Sequence, residues 1–104
     1  MNDATPLKVA SAEIVLGCAE LMPTLDFFTE ELGFLIELIF PADDPAVAVV
    51  SAYGLRLRLE AGTEHPKGVL RLMCSGLAHD APNRTVQAPN GTTVELINGD
   101  ARPP

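Results

Sequence analysis

An α+β fold, with one main helix on one face of a curved mixed sheet, is what three features of this sequence predict. One amphipathic stretch runs from Leu21 to Leu32, short runs rich in Val, Ile and Leu lie on both sides of it, and Asn90-Gly91 separates the last two runs. The first feature has the 3.6-residue period of a helix, the second the length and alternation of strands, and the third the chemistry of a hairpin turn. With 104 residues the chain has room for one core, so a single domain over 1–104 is expected, with its packed part at 9–98 and a frayed tail at 99–104.

The elements follow in order. Residues 12–18, AEIVLGC, are short, apolar and partly β-branched, and read as a first strand. In the helix, Leu21, Leu25, Phe28 and Leu32 recur at three-to-four spacing while Asp26, Thr29, Glu30 and Glu31 fill the other face. Pro23 suits a first turn, where its missing N–H costs nothing, and Gly33 suits a left-handed stop. Strands are then expected at 34–40, 46–52 and 55–60, separated by the turn at 41–45 and the break at Gly54. A loop at 62–68 leads to a strand at 69–74 and a looser segment at 75–83, and 84–88 and 92–97 close the fold as a hairpin.

Charge and composition narrow the function. Seven basic against fourteen acidic side chains give a net charge of −7, and with no Trp and one Tyr the chain lacks the basic stripe and stacking residues of a nucleic-acid binder. No apolar run reaches the roughly 18 residues of a membrane helix, and the first residues do not resemble a secretion signal. Cys18 and Cys74 each sit in an apolar run and read as thiols of a reducing cytoplasm. The triplets at Asn83 and Asn90 that match a glycosylation pattern are then read as turns.

Strand alternation sorts the residues of the sheet into two faces. Leu55, Leu57 and Leu59 belong under the helix with Ile14, Leu16 and Cys18, and with Leu70, Leu72, Cys74, Val94 and Leu96. Glu13, Arg56, Arg58, Arg71 and Glu95 then project from four strands to the uncovered side. On a flat sheet open to water these five are ordinary solvated groups. In a trough they must pair, because an unpaired buried ion costs several kcal/mol by rough estimate. Three guanidiniums against two carboxylates leave one positive charge, which favours an anionic or carbonyl-bearing ligand.

The run AELMPTLDFFTEELGF, 19–34, resembles the first strand-helix signature of the glyoxalase/bleomycin-resistance/extradiol-dioxygenase (vicinal oxygen chelate) superfamily, and APNGTTVELI, 88–97, resembles its last hairpin. The resemblance implies a βαβββ module followed by a second one, here shortened, with no length for its helix between Cys74 and Arg84. Metal-using members of the superfamily place four His, Gln or Glu ligands on the concave sheet. By position these fall on Glu13, on Arg56 or Arg58, on Val69 and on Glu95. Arginine and valine do not ligate metals, and two carboxylates beside guanidiniums make a poor cation site, so neither metal nor cofactor is expected. His65 and His79 lie in loop segments and read as solvated. Glu95 could serve as a general base, but arginines beside it oppose a raised pKa.

The expectation is therefore a metal-free small-molecule-binding domain, with Glu13, Arg56, Arg58, Arg71 and Glu95 contacting the ligand. The alternatives are a metal-dependent lyase, isomerase or dioxygenase of the same superfamily, and a regulatory domain of a longer fusion protein. One helix cannot cover both faces of so apolar a sheet, so a homodimer is expected.

Overall fold

Alternation along Leu55–Ala61 sets the plane of the molecule: Leu57 and Leu59 are fully buried, while Arg56, Arg58 and Glu60, which alternate with them, are only partly covered. The computed structural model describes residues 7–63, 68–75 and 83–98. The elements are β1 (Ile14–Cys18), α1 (Leu21–Asp26) continuing into a π-helical turn (Phe27–Glu31), β2 (Leu35–Phe40), β3 (Val47–Ala52), β4 (Leu55–Ala61), β5 (Val69–Cys74), β6 (Arg84–Gln87) and β7 (Thr93–Asn98). The strands were all anticipated in place and type, and the architecture is α+β with mixed sheets and one main helix.

Among the described residues the strands form two sheets, where the sequence pattern predicts one. The first has the order β1-β4-β3-β2 and the second β5-β7-β6. In each, the opening strand pairs in parallel with the closing one, β1 with β4 and β5 with β7, and the remaining pairs are antiparallel. The expected helix-free stretch after Cys74 falls largely on residues 76–82, outside the described residues, as do His65, His79 and the tail 99–104.

The helix departs from the expected regular form. Thr29 Oγ1 donates to the Leu25 carbonyl at 2.9 Å, the acceptor its own N–H would use in an α-helix. Such back-bonding loosens the ladder, and from Phe27 the turn widens, with Leu32 N–H reaching the Phe27 carbonyl at 3.3 Å. Leu21, Thr24, Leu25 and Phe28 stay buried through the change, so the amphipathic stripe is kept. Gly33, at φ +83°, ends the helix, and a Cβ there would come within 2.8 Å of the Tyr53 hydroxyl oxygen.

The core lies between this helix and the first sheet: Cys18, Leu21, Leu25, Phe28, Phe34, Ala48, Val50, Leu57 and Leu59 are all buried together with Ala88. Phe27, Phe28, Phe34 and Tyr53 make a chain of edge-to-face contacts with centroids 5.4 to 5.6 Å apart. Ile14 keeps its predicted side but is 48% exposed at the start of β1, unlike the buried Cys18 at its end.

The second sheet is held to the first by its hairpin turn. Asn90 Nδ2 donates to the Gly17 carbonyl of β1 at 2.9 Å, and Asn90 Oδ1 accepts from Thr92 N–H at 3.2 Å. Ala88, at the same turn, is part of the first sheet's core. The radius of gyration is 16.2 Å, against about 13 Å for a compact chain of this length, and the extents of 45 × 44 × 23 Å describe a broad slab.

Candidate functional site

The register explains which charges meet. β1 and β4 are parallel with Val15 beside Arg58, so Glu13 rises on the same face as Arg56 and Arg58, as alternation predicted. Glu13 Oε2 lies 3.8 Å from Arg58 Nη1 and its Oε1 lies 3.9 Å from Arg56 Nε. Shorter contacts come from two residues the sequence reading left out. Arg58 Nε donates to Glu60 Oε2 at 2.7 Å, and Arg56 Nε stands 3.3 Å from Glu37 Oε1.

Glu60 follows Arg58 by two positions on one strand, so the alternation rule places it there directly. Glu37 arrives differently. The β2–β3 pairing passes from Ile36 opposite Val50 to Leu38 opposite Val49, which leaves Glu37 as the extra residue of a bulge. The bulge aims Glu37 at Arg56 and turns Leu38 and Phe40 onto the charged face as well. The Arg58 guanidinium carbon sits 5.4 Å from the Phe40 ring centroid, within cation–π range.

Arg71 and Glu95 form a separate pair. They are register partners on β5 and β7, with Arg71 Nε donating to Glu95 Oε1 at 2.7 Å. The five residues expected on one sheet, Glu13, Arg56, Arg58, Arg71 and Glu95, are therefore divided between two sheets, because strand periodicity gives a residue's side but not its sheet.

The expected positive surplus is also absent. On the first sheet Glu13, Glu37 and Glu60 face Arg56 and Arg58, a net charge of −1, while Arg71 and Glu95 cancel. All of these side chains are at least a quarter exposed, so each pair contributes about 0–1 kcal/mol to stability. Their geometry matters more than their energy. Arg56, Arg58 and Arg71 each meet their nearest carboxylate through Nε, and no hydrogen bond from a terminal guanidinium nitrogen is made among the described residues. Arg58 Nη1 has only the Glu13 carboxylate at 3.8 Å, and Arg56 Nε, buried 3.3 Å from Glu37, makes no hydrogen bond. Val49, beside Arg58 in the register, is 1% exposed beneath this layer, while Leu35, Leu38 and Val15 border it with apolar surface open to solvent.

The donor set does not suit a metal. At the four positions the superfamily resemblance marks, Glu13 and Glu95 face guanidiniums on different sheets, and the others are arginine and an exposed valine. Among the described residues no group of three His, Cys, Asp or Glu could hold a metal ion.

Neither a family profile nor a curated sequence matches the chain. Solved structures do. A bleomycin-binding protein from Streptomyces verticillus, complexed with copper(II)-bleomycin, is similar with a TM-score of 0.59 and 17% identity, over 88% of this chain and 98% of that one. A lactoylglutathione lyase from Agrobacterium tumefaciens is similar with a TM-score of 0.62 and 13% identity, over 86% and 92%. An antibiotic-binding protein from Streptomyces gives 0.51 and 15%, over 86% and 98%. The chain thus has the glyoxalase/bleomycin-resistance/dioxygenase fold of the vicinal oxygen chelate proteins, as the two sequence signatures implied.

Proposed function

We propose that this protein binds a small organic molecule on the charged face of the first sheet, without a metal ion or other cofactor. The observation that carries this reading is the pair of guanidiniums, with Arg58 hydrogen-bonded at Nε to Glu60, Arg56 3.3 Å from Glu37 and no terminal nitrogen in a hydrogen bond among the described residues, set among exposed Val15, Leu35 and Leu38. Apolar walls around a few oriented donors are the usual composition of a ligand site. Of the two ligand types the sequence predicts, anionic or carbonyl-bearing, the local net charge of −1 favours a carbonyl-bearing one that is neutral or cationic overall. Glu13 positions both guanidiniums. Two of the similar structures are binding proteins, for bleomycin and for an antibiotic, which is consistent with a binding role.

The apolar surface of β2, where Leu35 is 72% exposed beside Ile36 and Leu38, supports a homodimer in which a second copy closes the ligand site from that edge. Among the described residues no helix is long and apolar enough to cross a membrane; the two thiols, Cys18 and Cys74, support a reducing compartment such as the cytoplasm.

A thermal-shift and calorimetry screen of carbonyl-bearing aromatic compounds, with metal-free and copper(II)-bleomycin included, tests the reading. Binding that weakens about tenfold in Arg58→Ala and Arg56→Ala supports it, the usual effect of one charged hydrogen bond. Hits indifferent to both substitutions, or stoichiometric Fe, Ni, Mn or Zn in protein purified without added metal, would overturn it.

A further inference from the structure

A cleft of about 720 Å³ lies away from the charged face, between β5 and the far end of the first half. One wall is formed by Leu32 at the helix end and by Tyr53 and Leu55 around the β3–β4 turn. This wall is braced: the Tyr53 hydroxyl donates to the Leu32 carbonyl, and the Tyr53 ring meets Phe34 edge-to-face at 5.4 Å. The opposite wall is β5, with Leu96 of β7 behind it.

The way β5 lines the cleft is informative. A strand that presents a face to a cavity contributes alternate residues, but here Arg71, Leu72, Met73, Cys74 and Ser75 all line it in succession. The cleft therefore runs along the edge of β5. Among the described residues that edge is open, because β5 is the outermost strand of its sheet. Backbone directions follow from one hydrogen bond: Thr93 N–H donates to the Gly68 carbonyl, so Gly68, Leu70, Leu72 and Cys74 turn their amides and carbonyls toward β7. Val69, Arg71 and Met73 turn theirs outward, and among the described residues nothing pairs with them. The Arg71 side chain is meanwhile occupied by Glu95.

We propose that this cleft takes an extended peptide of a partner protein, which adds as a strand to the edge of β5. The outward N–H and C=O groups of Arg71 and Met73 would bond its main chain, and an apolar side chain would enter between Leu32, Leu55, Leu72 and Leu96. Strand addition combines main-chain bonds for affinity with pockets for alternate side chains, and the volume falls in the roughly 300–1,000 Å³ range of ligand sites. Glu31 stands at the cleft and Glu30 beside it, in a chain of net charge −7, so basic residues flanking the apolar one complete the match. The site is independent of the proposed small-molecule site.

The test uses fluorescein-labelled acetyl-Lys-Val-Leu-Val-Leu-Lys-amide and fluorescence anisotropy with the full chain. Saturable binding is expected, and two N-methylated forms separate the strand mode from simple hydrophobic adhesion. Methyl groups on one alternate set of amides should weaken binding about tenfold or more, and on the other set hardly at all, since only one edge of the peptide faces β5. Met73→Pro should abolish binding while leaving the β5–β7 ladder intact, because that N–H points outward. Arg58→Ala should change nothing. No saturable binding, equal effects of both methylated forms, or full binding by Met73→Pro would each overturn the proposal. So would conversion of a dimer to a monomer by Met73→Pro, because a second copy would then hold the edge. The methylated peptides keep the test decisive even if the proline variant fails to fold.

Discussion

Asn90→Ala should be among the most damaging single changes outside the aliphatic core. The side chain is 8% exposed and makes two bonds of different kinds: Nδ2 donates to the Gly17 carbonyl across the halves, and Oδ1 accepts from Thr92 N–H within the turn. Truncation leaves one buried acceptor and one buried donor without these partners, at about 1–3 kcal/mol each. Partial relaxation at the turn brings the expected loss to roughly 2–4 kcal/mol, a large share of the 5–15 kcal/mol typical of a domain. Urea denaturation, fitted with a common m-value, measures it. Asn90→Asp refines the test, because the aspartate keeps the Oδ1 acceptor but at neutral pH sets a carboxylate against the Gly17 carbonyl. Its folded pKa should be raised, so its deficit relative to the parent should be largest near pH 7 and shrink as pH falls toward the unfolded aspartate value of about 3.9. A loss below about 0.5 kcal/mol for Asn90→Ala, or a pH-independent deficit for Asn90→Asp, would refute the claim that this residue ties the halves together.

Other expectations can be measured on the same footing. Gly33→Ala should cost about 2–3 kcal/mol by urea denaturation, combining the left-handed backbone with the clash against the Tyr53 hydroxyl. Combined with Tyr53→Phe, which removes the clashing oxygen, the loss should be at least about 0.5 kcal/mol smaller than the sum of the single changes. Phe28→Ala, at a fully buried ring flanked by Phe27 and Phe34, should cost about 3–5 kcal/mol in the same assay. Glu60→Gln should change stability by under about 1 kcal/mol yet weaken any ligand bound through Arg58, read by calorimetry, because the guanidinium loses its anchoring carboxylate.

Much of this fold was legible because alternation is a local property. Leu57 and Leu59 against Arg56 and Arg58 needed only the spacing of side chains on a strand, and the hairpin at Asn90-Gly91 only its turn chemistry. What escaped was non-local. Nothing in the spacing of Val69–Cys74 says that β5 joins β7 and β6 in a separate sheet, so Arg71 and Glu95 were grouped with charges they do not meet. Glu60 was available to the same rule that sorted Arg58, but Glu37 depended on a bulge that reverses the sides of Leu38 and Ile39. Together they changed the sign of the local charge. The widened turn after Asp26 was hidden too, since a threonine hydroxyl competing for a carbonyl leaves the apolar period intact.

The bulge at Glu37 has an evolutionary reading. Since Ile36 and Leu38 already face consecutive residues of β3, excising Glu37 would leave a regular hairpin with every neighbour still on its own side. One codon gained or lost would then swing the electrostatic balance beside Arg56 from acidic to neutral while the interior stayed as it is. A lineage could retune which molecules this surface accepts by a single indel, with no need to re-evolve the scaffold beneath it.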